Sequence, residues 1–212
     1  MPEQEGILIL GEHDGVSLSA TTKEIIGVGK KLAGDLDQKL SVGLTGANLD
    51  QIGQEALKYG ADHVYLIDNP LLKEYHIEVH LNAIKEMCDR ISPNIILLAK
   101  TDTGRDLGPR LAFRLGVGLA QDCQWLEIDE KTKKMLCQRP VYGGIAIANV
   151  SCTTIPQMAS IKPHVYNIPE VSPESNGDIQ KLDINIDNSI IKVEILERVT
   201  EESEGIKLRD AK

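Results

Sequence analysis

The chain has 212 residues, of which 42% are hydrophobic, 26% are charged and only 3% are aromatic. This composition is typical of a globular protein and excludes wholesale disorder. The 32 acidic residues outnumber the 23 basic ones and give a formal net charge of -9, which argues against nonspecific binding to nucleic acid or to an anionic membrane. With so few rings the core must be aliphatic, and no aromatic cage or base-stacking platform is expected.

Two features of the sequence bear on location. The longest apolar run, Ile95–Ala99, is far shorter than the ~20 residues that a membrane-spanning helix needs. The N-terminal sequence MPEQEGILIL lacks the basic segment that opens a secretory signal. We therefore expect a cytoplasmic protein with no direct membrane insertion.

The cysteines are widely spaced and form no CxxC motif, standing at Cys88, Cys123, Cys137 and Cys152. We expect reduced thiols in or near the core, because nothing in the sequence indicates secretion. Cys123 and Cys137 flank a predicted hairpin and can therefore be neighbours. Their spacing alone does not indicate a disulfide.

The first two thirds of the chain alternate short aliphatic runs with longer segments of helical period, which indicates βαβ units. Ser17 or Ser19 is predicted to cap the first helix and Asn48 the second, and Gly60 stands where a glycine commonly follows a helix. A third helix is predicted over residues 73–90. The first strands of the sheet are predicted at residues 7–10, 42–44, 63–67 and 95–99.

After the strand predicted at residues 95–99 the pattern changes. The apolar runs 125–128 and 135–137 flank a polar stretch and predict a hairpin, and residues 146–150 and 157–161 are two further strand candidates. We therefore predict an α/β, Rossmann-like three-layer domain with a mostly parallel sheet that is extended by antiparallel strands.

The C-terminal segment has a different composition. The residues from 167 to 187 are rich in Pro, Ser, Asn and Asp, and the last 46 residues contain eleven acidic and six basic residues. One strand is predicted there, at 190–196. We predict a domain over residues 1–166, followed over 167–212 by an acidic linker that leads toward something outside this chain.

The segment 101–110, TDTGRDLGPR, directly follows the strand Ile95–Ala99. Ligands of open α/β sheets bind beyond the carboxyl ends of the strands. Because proline is tolerated in the first turn of a helix but not in its interior, Pro109 predicts Asp106 as the N-cap of the next helix. Residues 101–105 would then form a polar loop at the N-terminus of this helix, and such a loop suits a phosphate or carboxylate ligand. This candidate cofactor-binding loop consists of Thr101, Thr103, Gly104 and Arg105.

A purely structural alternative exists for the same loop. Asp106 would only cap the helix, Arg105 would pair with a carboxylate, and the threonines would only shape the turn.

The residues 11–15, after the first strand, do not form GxGxxG, and no Walker sequence occurs, which argues against a phosphoryl-transfer enzyme. His76 and His80 have a metal-binding spacing, but no third ligand is evident, so we predict a solvent-exposed helix flank and no metal site.

A second unusual segment, RPVYGG, begins at Arg139. An early proline and two glycines in a strand indicate a bend or a close approach of the backbone to a ligand or another subunit. We predict that Arg139, Tyr142, Gly143 and Gly144 form an interface with a partner, together with residues 157–158.

Three segments in this order resemble the N-terminal domain of the alpha subunit of electron-transfer flavoproteins: TDTGRDLGPRLAFRLGVGLAQDCQWLEID, RPVYGGIAIANV and PQMASIKPHVY. The elements ILILGEHDG and GADHVYLID are similar to the same family. The resemblance covers residues 6–166. Ile145 departs from the family pattern, in which Asn follows the double glycine. In this family a flavin domain follows, and the present chain stops about where that domain begins.

The resemblance implies an adenine-nucleotide alpha-hydrolase-like fold. It also implies a heterodimer of this subunit with a beta subunit, and the complete heterodimer carries FAD. Such complexes collect electrons from dehydrogenases, typically acyl-CoA dehydrogenases, and deliver them to a membrane quinone oxidoreductase, and some relatives bifurcate electrons from NADH. The main FAD contacts of the family lie in the flavin domain and the beta subunit. We therefore expect no catalytic residue and no tightly bound FAD in this chain alone, which should be colourless.

An alternative function is a stand-alone adenine-nucleotide-binding regulatory module, for which the loops around Gly11 and Thr103 are the sequence argument. A lyase or hydrolase ranks last, because no acid–base pair is evident.

Overall fold

The computed structural model describes residues 4–172, 177–193, 195–197 and 199. Within them, four α-helices connect or flank two sheets: α1 (Ala20–Leu36), α2 (Asp50–Lys58), α3 (Ile77–Ile91) and α4 (Asp102–Leu115). The larger sheet contains β1 (Ile7–Leu10), β2 (Leu40–Gly46), β3 (His63–Asp68), β4 (Ile95–Ala99), β5 (Leu119–Cys123), β9 (Gln157–Ile161) and β10 (Asp178–Lys181). The smaller sheet contains β6 (Trp125–Ile128), β7 (Met135–Val141) and β8 (Ala146–Ser151).

The larger sheet has the strand order β10-β3-β2-β1-β4-β9-β5, and every neighbouring pair is parallel. Its central strands are covered on both faces, as the continuous apolar runs predict. Along β1, Ile7 and Ile9 face a core that includes residues of α1 and α2, whereas Leu8 and Leu10 face a core with residues of α3 and α4. The predicted α/β, three-layer, mostly parallel fold is confirmed.

The antiparallel strands do not extend the parallel sheet. The hairpin of β6 and β7 is present, but with β8 it forms a separate three-stranded sheet whose strand β6 packs against α1. The strand candidate at 157–161 is instead β9, which lies inside the parallel sheet between β4 and β5. It is fully buried although it contains Gln157 and Ser160, because both side chains accept hydrogen bonds from backbone N–H groups.

Part of the acidic segment packs on the domain. The short strand β10 pairs with β3 at the edge of the large sheet, and Ile184 beyond it is buried. The strand predicted at 190–196 is not observed in the described residues of that stretch, where residues 188–190 form a short 3-10 turn. The apolar run at 190–196 was thus a poor indicator of a strand. The strand β10 was not predicted, because it pairs with β3 through backbone hydrogen bonds and its sequence has no apolar pattern.

Smaller expectations have mixed outcomes. Ser19 caps α1 and Gly60 follows α2, as predicted. Asn48 does not cap α2, because the Asp68 carboxylate accepts from the backbone N–H groups of Asn48 and Leu49 instead. All cysteines are free thiols, three of them buried, as predicted for core residues. The thiols of Cys123 and Cys137 are hydrogen-bonded neighbours.

Among the described residues, no helix combines the length and the apolar character needed to cross a membrane.

Candidate functional site

A cleft lies at the carboxyl ends of β1, β2 and β4. From β1 the chain proceeds to β2 and β3 on one side of the sheet, whereas β4, β9 and β5 lie on the other side, so the strand order reverses between β1 and β4. Such a switch point is where open α/β sheets bind ligands. Residues 11–13 after β1 and the N-terminal part of α4 after β4 line the cleft.

The N-cap of α4 lies five residues before the predicted one. Thr101 is the N-cap, and its Oγ1 accepts a hydrogen bond from the backbone N of Gly104 at 3.1 Å. The prediction of Asp106 as the cap was wrong, because Pro109 lies in the interior of the helix. The Asp106 carboxylate instead accepts from the Tyr75 hydroxyl at 3.2 Å and from Arg110 Nε at 3.0 Å.

The hydroxyl of Thr101 has a second role that links the two walls. It donates a 2.5 Å hydrogen bond to Oε1 of Glu12, which is 89 residues earlier in the sequence. The Glu12 carboxylate therefore lies beside the N-terminus of α4, where the helix dipole and free N–H groups attract negative charge. An internal carboxylate takes the position that the sequence suggested for a phosphate or carboxylate ligand.

The Thr101 cap gives a stability prediction. Thr101→Val should lower the free energy of unfolding by ~1–2 kcal/mol, because it removes the helix cap and the hydrogen bond to Glu12. Thr101→Ser keeps the hydroxyl and should stay within about 0.5 kcal/mol of the wild type. Urea unfolding measures both values. A larger loss for Asp106→Ala than for Thr101→Val would contradict this assignment of the cap.

Burial raises the pKa of the Glu12 carboxyl above its usual value, with repulsion from Asp102 adding to the shift and the Thr101 hydrogen bond opposing it. A carboxyl with a raised native pKa binds more protons in the folded than in the unfolded protein. Its contribution to stability is therefore fully present below the unfolded pKa, and it is lost as the pH rises through the folded pKa.

This linkage gives a second prediction. Glu12→Gln should increase the thermal midpoint more at pH 7 than at pH 4, because the wild-type carboxyl loses the stabilising effect of its bound proton as the pH rises. The amide oxygen of Gln can still accept from Thr101, so the hydrogen bond is retained. Thermal unfolding at several pH values measures the difference, and an equal effect at pH 4 and pH 7 would contradict the pKa shift.

The histidines near the cleft are committed to structural hydrogen bonds. His13 Nε2 lies 3.1 Å from the carbonyl oxygen of Thr45, and its Nδ1 accepts from the backbone N of Gly15 at 3.1 Å. His80 is buried rather than exposed, in contrast to the prediction, and its Nδ1 lies 3.0 Å from the carbonyl oxygen of His76. Burial lowers the pKa of His80. No cluster of metal-ligating side chains occurs in the part of the chain that the structure describes.

The size of the cleft limits what it can hold. The cavity bordered by Glu12, His13 and Lys73 has a volume of about 170 Å³, and a neighbouring one has about 40 Å³. Small-molecule sites usually have ~300–1,000 Å³. Together with the Glu12 carboxylate at the helix terminus, this volume does not fit FAD with its two phosphates and its ring system.

The candidate loop residues are only partly brought together. Thr103 and Gly104 border the cleft, and Thr101 bonds to Glu12 at its wall. Arg105 is exposed on α4 and does not line the cleft. Gly104 has a packing reason, since a Cβ there would lie 1.8 Å from the carbonyl oxygen of Ala99. No local pattern pointed to Glu12, because its partner Thr101 lies 89 residues away at the N-terminus of α4.

The predicted interface residues lie at and near the connection between β7 and β8. Tyr142 is 83% exposed and the adjacent Ile145 is 90% exposed. Gly143 and Gly144 between them have φ values of 68° and 91°, which glycine adopts without strain. We call residues 142–145 the β7–β8 tip.

Two residues expected beside this tip are elsewhere. Gln157 and Met158 are 2% and 0% exposed in β9 of the parallel sheet, so they cannot join a surface without unfolding. Arg139 is partly buried on β7. Ile145 is not among the predicted interface residues, although it is exposed beside Tyr142 and its position after a double glycine was the available signal.

A parallel sheet covered by helices on both faces, with a cleft at its switch point, defines a Rossmann-like, three-layer α/β domain. The model of the electron transfer flavoprotein domain family matches residues 7–187. The chain belongs to this family, and the resemblance to its alpha subunits is confirmed.

Individual relatives agree with the family match. The chain is 31% identical over its whole length to the electron transfer flavoprotein subunit alpha of Megasphaera elsdenii and covers 63% of that protein. It is 34% identical to the protein of the same name from Thermoanaerobacterium thermosaccharolyticum, over all of this chain and 64% of the relative. Identity to subunit LctC of the lactate dehydrogenase (NAD(+),ferredoxin) of Acetobacterium woodii is 33%, over 97% of this chain and 49% of the relative. The chain thus spans less than two thirds of the length of these relatives.

Proposed function

We propose that this chain is the N-terminal scaffold domain of an electron-transfer flavoprotein alpha subunit that assembles with a beta subunit in the cytoplasm. The complete complex would carry FAD and pass electrons from a dehydrogenase, of the acyl-CoA type or another, to an acceptor such as a quinone oxidoreductase. The family match over residues 7–187 is the observation that carries this proposal.

The geometry of the cleft supports a scaffold role for this part of the complex. The small volume of the cleft and the internal Glu12 carboxylate do not fit FAD. The flavin of the complex would therefore be held by other parts of the assembly, and bound FAD would supply the electron-transfer chemistry there. Residues 1–166 would form the scaffold, and residues 167–212 would lead to a flavin domain.

The relatives leave room for two types of electron transfer. Several carry the name electron transfer flavoprotein subunit alpha, whereas LctC belongs to a lactate dehydrogenase named for both NAD(+) and ferredoxin. A dehydrogenase named for two acceptors supports flavin-based bifurcation as one form of the proposed function.

Co-expression with the beta subunit of the same organism tests the proposal. We expect an affinity-tagged chain to co-elute with an untagged beta subunit at a 1:1 ratio through size-exclusion chromatography. A tagged beta subunit expressed with an unrelated α/β domain serves as the control. Quantitative separation of the two subunits at micromolar concentrations would contradict the scaffold role.

The second candidate is an adenine-nucleotide-binding regulatory module, and the position of the cleft at the switch point favours it. Calorimetric titration of the isolated chain with AMP, ATP, FAD and NAD distinguishes the two functions. Micromolar binding of AMP or ATP would support the module, whereas no binding would support the scaffold. The Glu12 carboxylate beside the helix terminus ranks the module second, since it would repel a phosphate.

A further inference from the structure

Arg139 carries a positive charge on the inner face of the small sheet. Along β7, Met135 and Cys137 are buried against the core of the domain. Side chains two residues apart in a strand point to the same face, so Arg139 continues this inward-facing row. Its neighbour across the strand pair is Ala148 of β8, which is too small to cover a guanidinium.

The guanidinium lacks a partner within the described residues. Its Nε is buried without a hydrogen bond, and it is the one such side-chain atom found in this part of the chain. None of the ion pairs between described residues includes Arg139. Asp122 is a nearby carboxylate, since both it and Arg139 act electrostatically on the pKa of the Cys123 thiol, but it is already paired with Lys100 at 2.6 Å. Burying a polar group without a hydrogen bond is costly, so the Nε of this partly buried arginine calls for an acceptor, and an anion is the acceptor that a guanidinium binds most strongly.

A cavity of about 330 Å³ adjoins Arg139 between β5 and the end of β8. Thr153 and Thr154 are among its lining residues and carry hydroxyl groups, and no acidic residue is among its described lining residues. The Thr154 Oγ1 accepts from the backbone N of Gly118 at 3.1 Å, which leaves its own proton free to donate. The cavity thus combines one cation with several hydroxyl donors.

We propose that this cavity is an oxyanion-binding site in which Arg139 pairs with a carboxylate or phosphate group and the hydroxyl groups of the cavity donate hydrogen bonds to it. Guanidinium groups bind both anions with two parallel hydrogen bonds, which matches a site with a single charged residue. The volume suits a small anion or the end of an acidic side chain. The cavity is separate from the cleft at β1 and β4, with which it shares no lining residue.

The anion has two possible sources with the same chemistry. A free small anion would bind to the isolated chain, and this source is independent of the proposed function. An acidic side chain of the beta subunit would reach the cavity only in the complex, and this source rests on the proposed function. The β7–β8 tip follows Arg139 by three residues, roughly 10 Å along the strand, so a partner on that tip would lie nearest the Arg139 side of the cavity.

Cys152 provides a reporter inside the site. It lines the cavity and is half-buried, whereas the other three thiols are buried. The neutral reagent 4,4′-dithiodipyridine should modify it first, and Cys152→Ser should remove that reaction. At constant ionic strength, replacing chloride with saturating inorganic phosphate or succinate should slow the modification of Cys152 at least fivefold. In Arg139→Gln the same anions should slow it less than twofold.

Arg114→Gln is the matched control, because Arg114 is an exposed arginine on α4 outside the cavity, and it should retain the fivefold effect. If Arg139→Gln does not fold, two other measurements test the site. Thr153→Val should weaken the slowing by anions, and phosphate or succinate should raise the thermal midpoint of the wild type. If small anions have no effect but the beta subunit slows the reaction at least fivefold in the wild type and not in Arg139→Gln, the partner supplies the anion.

The proposal is overturned if neither the small anions nor the beta subunit produces an effect that depends on Arg139. Co-elution of the two subunits is measured in the same samples. Loss of the Arg139 effect with co-elution intact rejects the anion site alone, and loss of co-elution rejects the proposed function.

Discussion

Tyr142→Ala combined with Ile145→Asp is expected to weaken binding of the chain to a beta subunit at least 100-fold. Both side chains are exposed, at 83% and 90%, and they lie on the β7–β8 tip. Central interface residues commonly contribute ~2 kcal/mol or more each, and every ~1.4 kcal/mol is a tenfold change in affinity. Because neither side chain is part of the core, the thermal midpoint of the isolated chain should change by less than ~2 °C. Titration of labelled beta subunit by fluorescence anisotropy measures the affinity.

Phe113→Ala is the matched control for this experiment. Phe113 is 84% exposed, but it lies on α4, which packs on the face of the large sheet opposite to α1. The small sheet packs on the α1 side, so Tyr142 and Phe113 belong to different faces. Phe113→Ala should leave the affinity within about threefold of the wild type. If it weakens binding and the double variant does not, the interface lies on the α4 face.

The layered core could be predicted from the sequence, because burial leaves a direct trace in it. The central strands β1 and β4 are uninterrupted aliphatic runs, and the amphipathic segments between strands became helices. The sheet membership of the later strands could not be predicted in this way. A five-residue strand such as β9 has the same pattern in either sheet, and long-range packing decides its neighbours.

The candidate site shows the same division. The segment 101–105 is predicted as a polar loop after the central strand; it does follow that strand, but Thr101 is the N-cap and residues 102–105 already belong to α4. The predicted start of α4 is wrong because proline disfavours helix interiors, whereas Pro109 here lies inside α4. The partner of Thr101 could not be predicted, since Glu12 approaches from a loop 89 residues away. Local spacing contains no information about that contact.

Gly104→Ala is expected to destabilise the protein by about 3 kcal/mol or more, which lowers the thermal midpoint by roughly 6–12 °C. A Cβ at this position would lie 1.8 Å from the carbonyl oxygen of Ala99 at the end of β4. The clash is with backbone, so α4 would have to move away from the strand. Gly108→Ala should cost less, because its nearest contact is the Leu98 side chain at 2.9 Å, which can rotate.

Gly34→Ala is the control with the opposite sign. Gly34 lies in α1, is exposed, and has open space around the position of a Cβ. Alanine there should stabilise the protein by about 0.5–1 kcal/mol through helix propensity alone. Urea unfolding of the three glycine variants gives the comparison. A cost below ~1 kcal/mol for Gly104→Ala would mean that α4 does not approach β4 so closely, and Gly104 would again be a candidate for contact with a ligand. A large cost explains this glycine of the TDTGRD segment by helix–strand packing.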